Sequence, residues 1–229
     1  MKTAILVDGG FYRKRASYLW GKRTALERAK ELHAYCLAHI HDKDGEETRQ
    51  LYRIFYYDCA PIGRYSVYHP LTKKNIDLDK SETYAWTNEF LAELKRRRKF
   101  AIRLGEISGK ANYNLQPEIT KEILSGKREL SSLTENDFVF NAQQKGVDMR
   151  IGIDIASLTY KKQVNQIILI SGDSDFVPAA KLARREGVDF ILDPMCANIK
   201  DNLFEHIDGL KSQWKKTNPL LLMQNDQDS

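Results

Sequence analysis

Short runs of aliphatic and β-branched residues recur along the chain and are separated by stretches with helical spacing. The clearest run, Ile167–Ile170, ends abruptly at Ser171-Gly172. Apolar runs without polar alternation are typical of strands that are buried on both faces, as in a parallel sheet. The pattern predicts five strands, at residues 3–8, 51–59, 100–107, 167–171 and 188–192.

Apolar residues at three- and four-residue spacings predict helices between these strands. Two helices that break near Gly21 occupy residues 11–40, and another runs from about residue 81 to residue 99. A helix at residues 147–161 precedes the fourth strand, and one more helix ends before Gly187. Strands that alternate with helices predict an α/β sandwich around a parallel sheet. We expect residues 1–195 to form this domain.

Three segments interrupt the alternation. Residues 60–81 contain two prolines and a glycine and are predicted to form a long loop. Residues 108–137 are predicted to be an insertion over one edge of the sheet, with a short helix that starts at Pro117. We expect residues 196–229 to form a helical extension that ends in a polar tail.

Basic and aromatic side chains are interleaved in the predicted loop at 60–81. Arg64, Lys73 and Lys74 share this segment with Tyr65 and Tyr68. Such a mixture suits contact with phosphates together with stacking on bases. A surface loop that uses its aromatic residues to pack itself down is an equally good interpretation.

Composition narrows the class of protein. The chain has 229 residues, a formal net charge of +5 and 42% hydrophobic residues, which suits one domain with an ample core and agrees with a polyanionic partner. Cys36, Cys59 and Cys196 are widely spaced, so they predict neither a metal site nor a disulfide framework. We expect a cytoplasmic protein, because the sequence shows neither a signal peptide nor a membrane span.

Carboxylates follow the predicted strands at one edge of the sheet. Asp8 ends the first strand, Asp173 and Asp175 follow the fourth, and Asp148 lies in the first turn of the helix before the fourth. Asp154 shares the apolar face of that helix, where an unpaired charge is costly. Ligands of open α/β sheets collect beyond the carboxyl ends of the strands, where these acids are expected.

Each acid also has a structural interpretation. Asp175 or the neighbouring Ser174 can cap a helix, and Asp148 can interact with a helix dipole. Asp8 can form an Asx-type turn, and Asp154 can accept a hydrogen bond from a neighbouring turn. Taken singly, Asp148, Asp154 and Asp175 need no function.

Taken together, the acids predict a metal site if the first and fourth strands are neighbours. Several carboxylates within a few ångströms repel each other, and a bound divalent cation removes that penalty. Oxygen ligands without Cys or clustered His select Mg²⁺ or Mn²⁺. A hydrated Mg²⁺ held by carboxylates suits phosphodiester hydrolysis, because it activates water and neutralises phosphate charge.

Three motifs resemble the signature of the NYN domain family, which belongs to the PIN-like nucleases. They are Ile5–Gly10 (ILVDGG), Gln144–Asp148 (QKGVD, with Asp154 six residues on) and Ser171–Pro178 (SGDSDFVP). The resemblance covers about residues 1–195. It implies a PIN-like three-layer α/β/α sandwich with a central five-stranded parallel sheet, strand order 3-2-1-4-5, and an acidic Mg²⁺ or Mn²⁺ pocket that cleaves RNA.

Carried over residue by residue, the motifs make Asp8, Asp148, Asp173 and Asp175 candidate metal ligands, with Asp154 as a further acid of the pocket. Many members have Asn shortly after the first Asp, whereas Gly9-Gly10-Phe11 follows here. Any polar contact from that position is therefore in doubt. The family also includes members with regulatory roles, so the acids alone do not prove turnover.

Two hypotheses follow. The first is a metal-dependent endoribonuclease in which cations near the pocket contact the phosphates of RNA; the second is an RNA-binding or regulatory module without useful turnover. Phosphatase chemistry fits poorly, because the loop after Asp8 lacks a second acid two residues on. The sequence leaves a homodimer open. The candidate phosphate contacts near the pocket are Lys145, Arg150, Arg13 and Lys14.

Overall fold

The computed structural model describes residues 1–41, 49–63 and 66–213. Strands and helices alternate through most of these residues, as the apolar pattern predicts. The strands are β1 (Lys2–Asp8), β2 (Gln50–Cys59), β3 (Ser66–His69), β4 (Lys74–Asp77), β5 (Phe100–Leu115), β6 (Phe138–Lys145), β7 (Gln166–Ile170), β8 (Asp189–Asp193) and β9 (Gly209–Leu210). The helices are α1 (Gly9–Trp20), α2 (Ala25–Ala38), α3 (Glu82–Lys95), α4 (Pro117–Leu124), α5 (Val147–Tyr160), α6 (Val177–Arg185) and α7 (Asp201–Phe204).

A single seven-stranded sheet forms the centre, in the order β6-β5-β2-β1-β7-β8-β9. All neighbouring strands in it are parallel except β6, which pairs antiparallel with β5. The five predicted strands correspond to β1, β2, β5, β7 and β8, so their predicted order is confirmed. The α/β sandwich is also confirmed, with one further strand at each edge.

The sheet separates two hydrophobic cores, which makes the domain three layers thick. Alternate residues of β1 enter different cores: Ala4 and Leu6 pack with α5 and α6, whereas Ile5 and Val7 pack with α1, α2 and α3. All four side chains are fully buried. Apolar burial therefore holds β1 on both faces and fixes where the strand ends.

The register of β1 sets the level of the candidate site. Val7 pairs with Ile170 of β7, and Asp8 pairs with Tyr57 of β2. Ser171 therefore follows β7 at the same level as Asp8. Because neighbouring parallel strands end at one edge, residues after β1 and β7 face a common crevice.

The prediction of a long loop at 60–81 was wrong. Within it, β3 and β4 form an antiparallel hairpin with Val67 and His69 buried beneath it. Strands of four residues between prolines carry too few alternating positions to be recognised from the sequence. Arg64 and Tyr65 lie outside the described residues.

The insertion at 108–137 contains the predicted helix at Pro117, but its boundaries with the sheet differ from the prediction. β5 continues to Leu115, and β6 returns along it as an edge strand. The pattern missed β6 because an edge strand with one exposed face carries polar residues such as Asn141. The C-terminal extension contributes α7 and the parallel edge strand β9, and residues 214–229 lie outside the described part of the chain. The division into 1–195 and 196–229 stays a prediction.

Within the described residues, every helix is too short or too polar to cross a membrane.

Gly9 allows α1 to begin directly against β2, so its replacement tests the rigidity of this junction. A Cβ atom at Gly9 would lie 2.4 Å from the Tyr56 hydroxyl and 2.5 Å from the Tyr57 carbonyl oxygen. We expect Gly9→Ala to lower the free energy of unfolding by about 2–3 kcal/mol, because neither strand nor helix can retreat without disturbing the core. Urea denaturation measures the change.

Gly10→Ala is the matched control, since the nearest atom to its added Cβ would be an Asp8 carboxylate oxygen at 3.5 Å. We expect it to change the free energy of unfolding by less than about 1 kcal/mol. Equal destabilisation by both variants would contradict the proposed close packing at Gly9.

Candidate active site

Asp8 is held in place by the two elements that follow β1 and β7. One carboxylate oxygen, Oδ1, accepts a hydrogen bond from the Phe11 backbone N–H at 3.1 Å, so Asp8 is the N-cap of α1. The other, Oδ2, accepts a hydrogen bond from the Ser171 hydroxyl at 3.2 Å. Each oxygen keeps a lone pair for another partner. Capping and ligand binding are therefore compatible roles for Asp8.

Three of the predicted acids line one cavity of about 470 Å³ at the carboxyl edge of the sheet. Asp8 comes from the end of β1, Asp148 from the first turn of α5, and Asp173 from the segment after β7. Gly146 adopts a left-handed conformation (φ 80°) that turns the chain from β6 into α5. This turn brings Asp148 to the same cavity as Asp8 and Asp173, although the three are far apart in sequence.

Burial and mutual repulsion disfavour negative charge in this cavity. Burial raises the pKa of Asp8, and the carboxylates of Asp148 and Asp58 raise it further, while hydrogen bonds from Phe11 and Ser171 act against the rise. Burial also raises the pKa of Asp148, followed by repulsion from Asp173 and Asp175. These acids therefore act on one another electrostatically.

Asp173 has a local structural role that the sequence pattern assigned to its neighbours. Its Oδ1 accepts a hydrogen bond from the Asp175 backbone N–H at 3.0 Å, and it caps the 3₁₀ turn Ser174–Phe176. The prediction that Asp175 or Ser174 is the cap was wrong, because this turn begins before α6 does. Asp175 is exposed and lies outside the cavity lining, although its charge acts on Asp148.

Asp154 is not brought to the cavity. Its Oδ2 accepts hydrogen bonds from the Tyr57 hydroxyl at 2.8 Å and from Arg103 Nε at 3.2 Å. Helical spacing correctly placed Asp154 against the sheet. However, the position is about 9 Å along the helix axis from Asp148, so its partners belong to β2 and β5 instead.

The predicted phosphate-binding cations differ in position. Lys14 lines the acidic cavity, and Lys145 and Arg150 are exposed beside Gly146 and Asp148 in the chain. Arg13 instead forms an ion pair with Asp58, with Nη2 and Oδ1 2.9 Å apart. The remaining candidates are exposed Lys73 and Lys74, which lie on the β3–β4 hairpin, and Arg64, which lies outside the described residues.

Three polar residues that interact with the acids or with their motif received no role in the sequence interpretation. Asp58 is buried near the end of β2 and accepts hydrogen bonds from Arg13, the Tyr56 hydroxyl and its neighbour's backbone N–H. The same signal that selected Asp8, an acid at the end of a strand, could have identified it. Ser171 binds Asp8, and Lys200 Nζ donates to the Ser174 hydroxyl at 3.3 Å. Sequence alone carries no signal for the position of Lys200.

The donors fit a hydrated divalent cation better than a closed metal cage. Among the described residues, no group of three or more His, Cys, Asp or Glu side chains is close enough to hold a metal ion by itself. Mg²⁺ keeps several waters and takes only one or two carboxylates directly. The all-oxygen donor set, the free lone pairs of Asp8 and the repulsion among the acids therefore fit Mg²⁺ or Mn²⁺.

Comparison with known families identifies the class of protein. The model of the NYN domain family matches residues 65–202, which is more than half of the chain. The protein therefore belongs to the NYN domain family, whose nuclease-type fold agrees with the α/β/α sandwich. The matched region contains Asp148, Asp173 and Asp175, whereas Asp8 precedes it.

Solved structures resemble the chain only loosely. A protein of unknown function from Vibrio parahaemolyticus has a TM-score of 0.47 and 14% identity, over 91% of this chain and 90% of that one. Sir2 in complex with EX-527, 2'-O-acetyl-ADP-ribose and a deacetylated p53 peptide has a TM-score of 0.36 and 10% identity, over 99% of this chain and 94% of that one. Such scores carry no inference about this chain. A search of curated proteins finds no match.

The raised pKa of Asp8 predicts that ionisation of this carboxyl opposes folding. A carboxyl whose pKa is higher in the folded state stabilises the fold below its ordinary pKa, and this contribution is lost as the pH rises through the raised value. Asp8→Asn keeps a cap for α1 and removes the charge. At pH 7 we expect it to raise the Tm by roughly 2–4 °C, with a smaller gain at pH 4.

In the same thermal unfolding experiment, added Mn²⁺ should give the wild type a higher Tm than Asp8→Asn. The wild-type Tm should rise with Mn²⁺ concentration, because the cation binds only the folded state, while the Asp8→Asn Tm should change little. Asp154→Asn removes an acid outside the cavity and should keep the Mn²⁺-dependent rise. Equal Mn²⁺ responses in wild type and Asp8→Asn would contradict a cation site at this cavity.

Proposed function

We propose that the protein hydrolyses phosphodiester bonds of RNA at the acidic cavity, with Mg²⁺ or Mn²⁺ as cofactor. The observation that carries this proposal is the convergence of Asp8, Asp148 and Asp173 on one cavity from three separate segments. Burial and repulsion disfavour the charged forms of these acids, so their arrangement does little to stabilise the fold. A functional use of the cavity explains it better. Membership of the NYN domain family supports a nuclease over other uses of such a cavity.

Asp8, Asp148 and Asp173 would hold the hydrated cation, one or two of them directly and the rest through water, and exposed Asp175 would contribute directly or through water. The chemistry that a divalent cation supplies when bound is the activation of water and the neutralisation of phosphate charge. The chain's own residues contribute by holding the carboxylates in position. Ser171 and the Phe11 N–H fix both oxygens of Asp8, so the carboxylate need not reorganise when the substrate binds.

Cations around the cavity would direct the RNA backbone to it. Lys14 shares the lining with the acids, and Lys145 and Arg150 are exposed near its rim. A bare cluster of carboxylates repels phosphate, so these side chains and the divalent cation must act together. We therefore propose single-stranded or structured RNA as the partner, which the protein would bind through the RNA phosphates.

A regulatory or RNA-binding module is the second candidate. One observation favours it: Asp173 is exposed to solvent, and its Oδ1 already accepts the hydrogen bond of the Asp175 backbone N–H. A cavity that holds a cation weakly can bind RNA without efficient turnover. The two candidates give different results in a cleavage assay.

Asp173→Asn tests the nuclease proposal with little structural disturbance, because Asn can still accept the hydrogen bond from the Asp175 N–H. With Mn²⁺ and a mixture of single-stranded and structured RNA, we expect the wild type to produce fragments. Asp173→Asn should cleave at least about 100-fold more slowly, since outer-shell partners of a metal alone contribute up to about that much. Fragments are quantified on denaturing gels.

Asp201→Asn is the control, because Asp201 is an exposed acid in the first turn of α7 and lies outside the cavity lining. It should cleave at the wild-type rate. Equal cleavage by wild type and Asp173→Asn would assign the activity to a contaminant and refute the proposal. Binding of RNA by both proteins without cleavage would favour the regulatory module.

A further inference from the structure

A second cavity, of about 290 Å³, lies beside the acidic one. Its walls come from α3 and from segments that the sequence pattern left irregular, including residues 60–62, the extended end of β5, and β6. The lining is mainly apolar, with Ile107, Tyr113 and Phe140 from the β5–β6 pair, Leu78 from the 3₁₀ turn at Leu78–Lys80 and Tyr84 from α3. This volume suits one ring system better than a large ligand.

The aromatic wall is held in position from behind. The rings of Tyr113 and Phe140 meet edge to face at 5.5 Å, and buried His69 supports Tyr113 at 4.7 Å. Phe138 also packs against His69, with ring centroids 5.0 Å apart. Phe140 nevertheless remains 37% exposed. A large apolar ring that is rigid and partly open to solvent provides a ready surface for stacking.

The polar end of this cavity adjoins the acidic one. Arg13 and Asp58 contribute to its lining as an ion pair, and the charge of Asp58 raises the pKa of Asp8 in the acidic cavity. Arg13 also precedes Lys14, which lines the acidic cavity. α1 therefore contributes lining residues to both cavities. Thr87 of α3 is a further polar residue in the lining of this cavity.

We propose that this second cavity, the base pocket, receives one unpaired nucleobase of the RNA strand whose backbone crosses the acidic cavity. This inference rests on the proposed function. A flat π-face needs an aromatic platform, and the edge of a base needs polar partners such as Arg13 and Thr87. Adjacency to the phosphate site favours a base over an apolar peptide side chain. The substrate at this position is then unpaired, because a base in a duplex cannot leave its stack freely.

Abasic scanning tests the base pocket through binding, independently of cleavage. The full-length Asp173→Asn protein is mixed with a short single-stranded RNA in which one abasic nucleotide is moved along the chain, and affinity is measured by fluorescence anisotropy. We expect one position at which the abasic site weakens binding by about tenfold, the usual effect of one lost stacking contact. A duplex of the same sequence should bind more weakly than the single strand.

Phe140→Leu, made in the same Asp173→Asn protein, keeps the apolar bulk and removes the π-face. It should weaken binding of intact RNA by about tenfold and erase the penalty at that one position. Tyr84→Leu, on α3, should act in the same direction and provides a second test if the β5–β6 pair is perturbed. Val139→Ala is the matched control, because Val139 is an exposed neighbour of Phe140 on the opposite face of β6 and outside the cavity lining.

The results separate this inference from the nuclease proposal. RNA binding without any position-specific penalty, or a penalty that survives Phe140→Leu, would overturn the base pocket while the cleavage assay still decides the nuclease. A penalty that Phe140→Leu erases, in a protein whose wild type does not cleave with Mn²⁺, would support the base pocket and refute the nuclease. Failure to bind any RNA would overturn both.

Discussion

Burial of the neighbouring strands β1 and β7 on both faces is the constraint on which the rest of the structure depends, and it places carboxylates that repel one another at the carboxyl edge of the sheet. β1 and β7 are neighbours that are buried on both faces, so the acids that follow them cannot separate without disrupting two hydrophobic cores. The packing that stabilises the domain thereby concentrates negative charge in one cavity. A divalent cation is the simplest agent that relieves this repulsion without changing the fold.

Asp8 shows how one residue links the fold to the site. Its carboxylate caps α1 and binds Ser171, and these contacts orient it toward the cavity. The helix that it caps carries Lys14 to the acidic cavity and Arg13 to the base pocket. A shift of α1 would therefore disturb Asp8, Lys14 and the lining of both cavities together. The close approach at Gly9 limits such a shift.

The five central strands could be predicted from their apolar runs, and the acids at their ends from the sequence pattern. The resemblance to the NYN domain family supplied the strand order, which makes β1 and β7 neighbours and gathers Asp8, Asp148 and Asp173. The hydrogen-bond partners of Asp154 could not be predicted. Helical spacing fixes the face of a helix that a residue occupies, but only the packed sheet determines that Tyr57 and Arg103 meet it there. β6 and the hairpin were missed because short or edge strands carry weak apolar patterns. The base pocket was missed with them, because its aromatic wall includes Phe140 of β6 and Tyr113, which packs against His69 of the hairpin.

The most direct test of the acidic cavity as a cation site is a crystal structure with Mn²⁺, located by its anomalous scattering. The account predicts a Mn²⁺ peak between Asp8, Asp148 and Asp173, with carboxylate oxygens or bridging waters at about 2 Å from the ion, as for Mg²⁺-type sites. The same crystals of Asp173→Asn should show a weaker peak or none. A well-ordered cavity that holds no Mn²⁺, or a Mn²⁺ ion bound only elsewhere on the chain, would contradict the account.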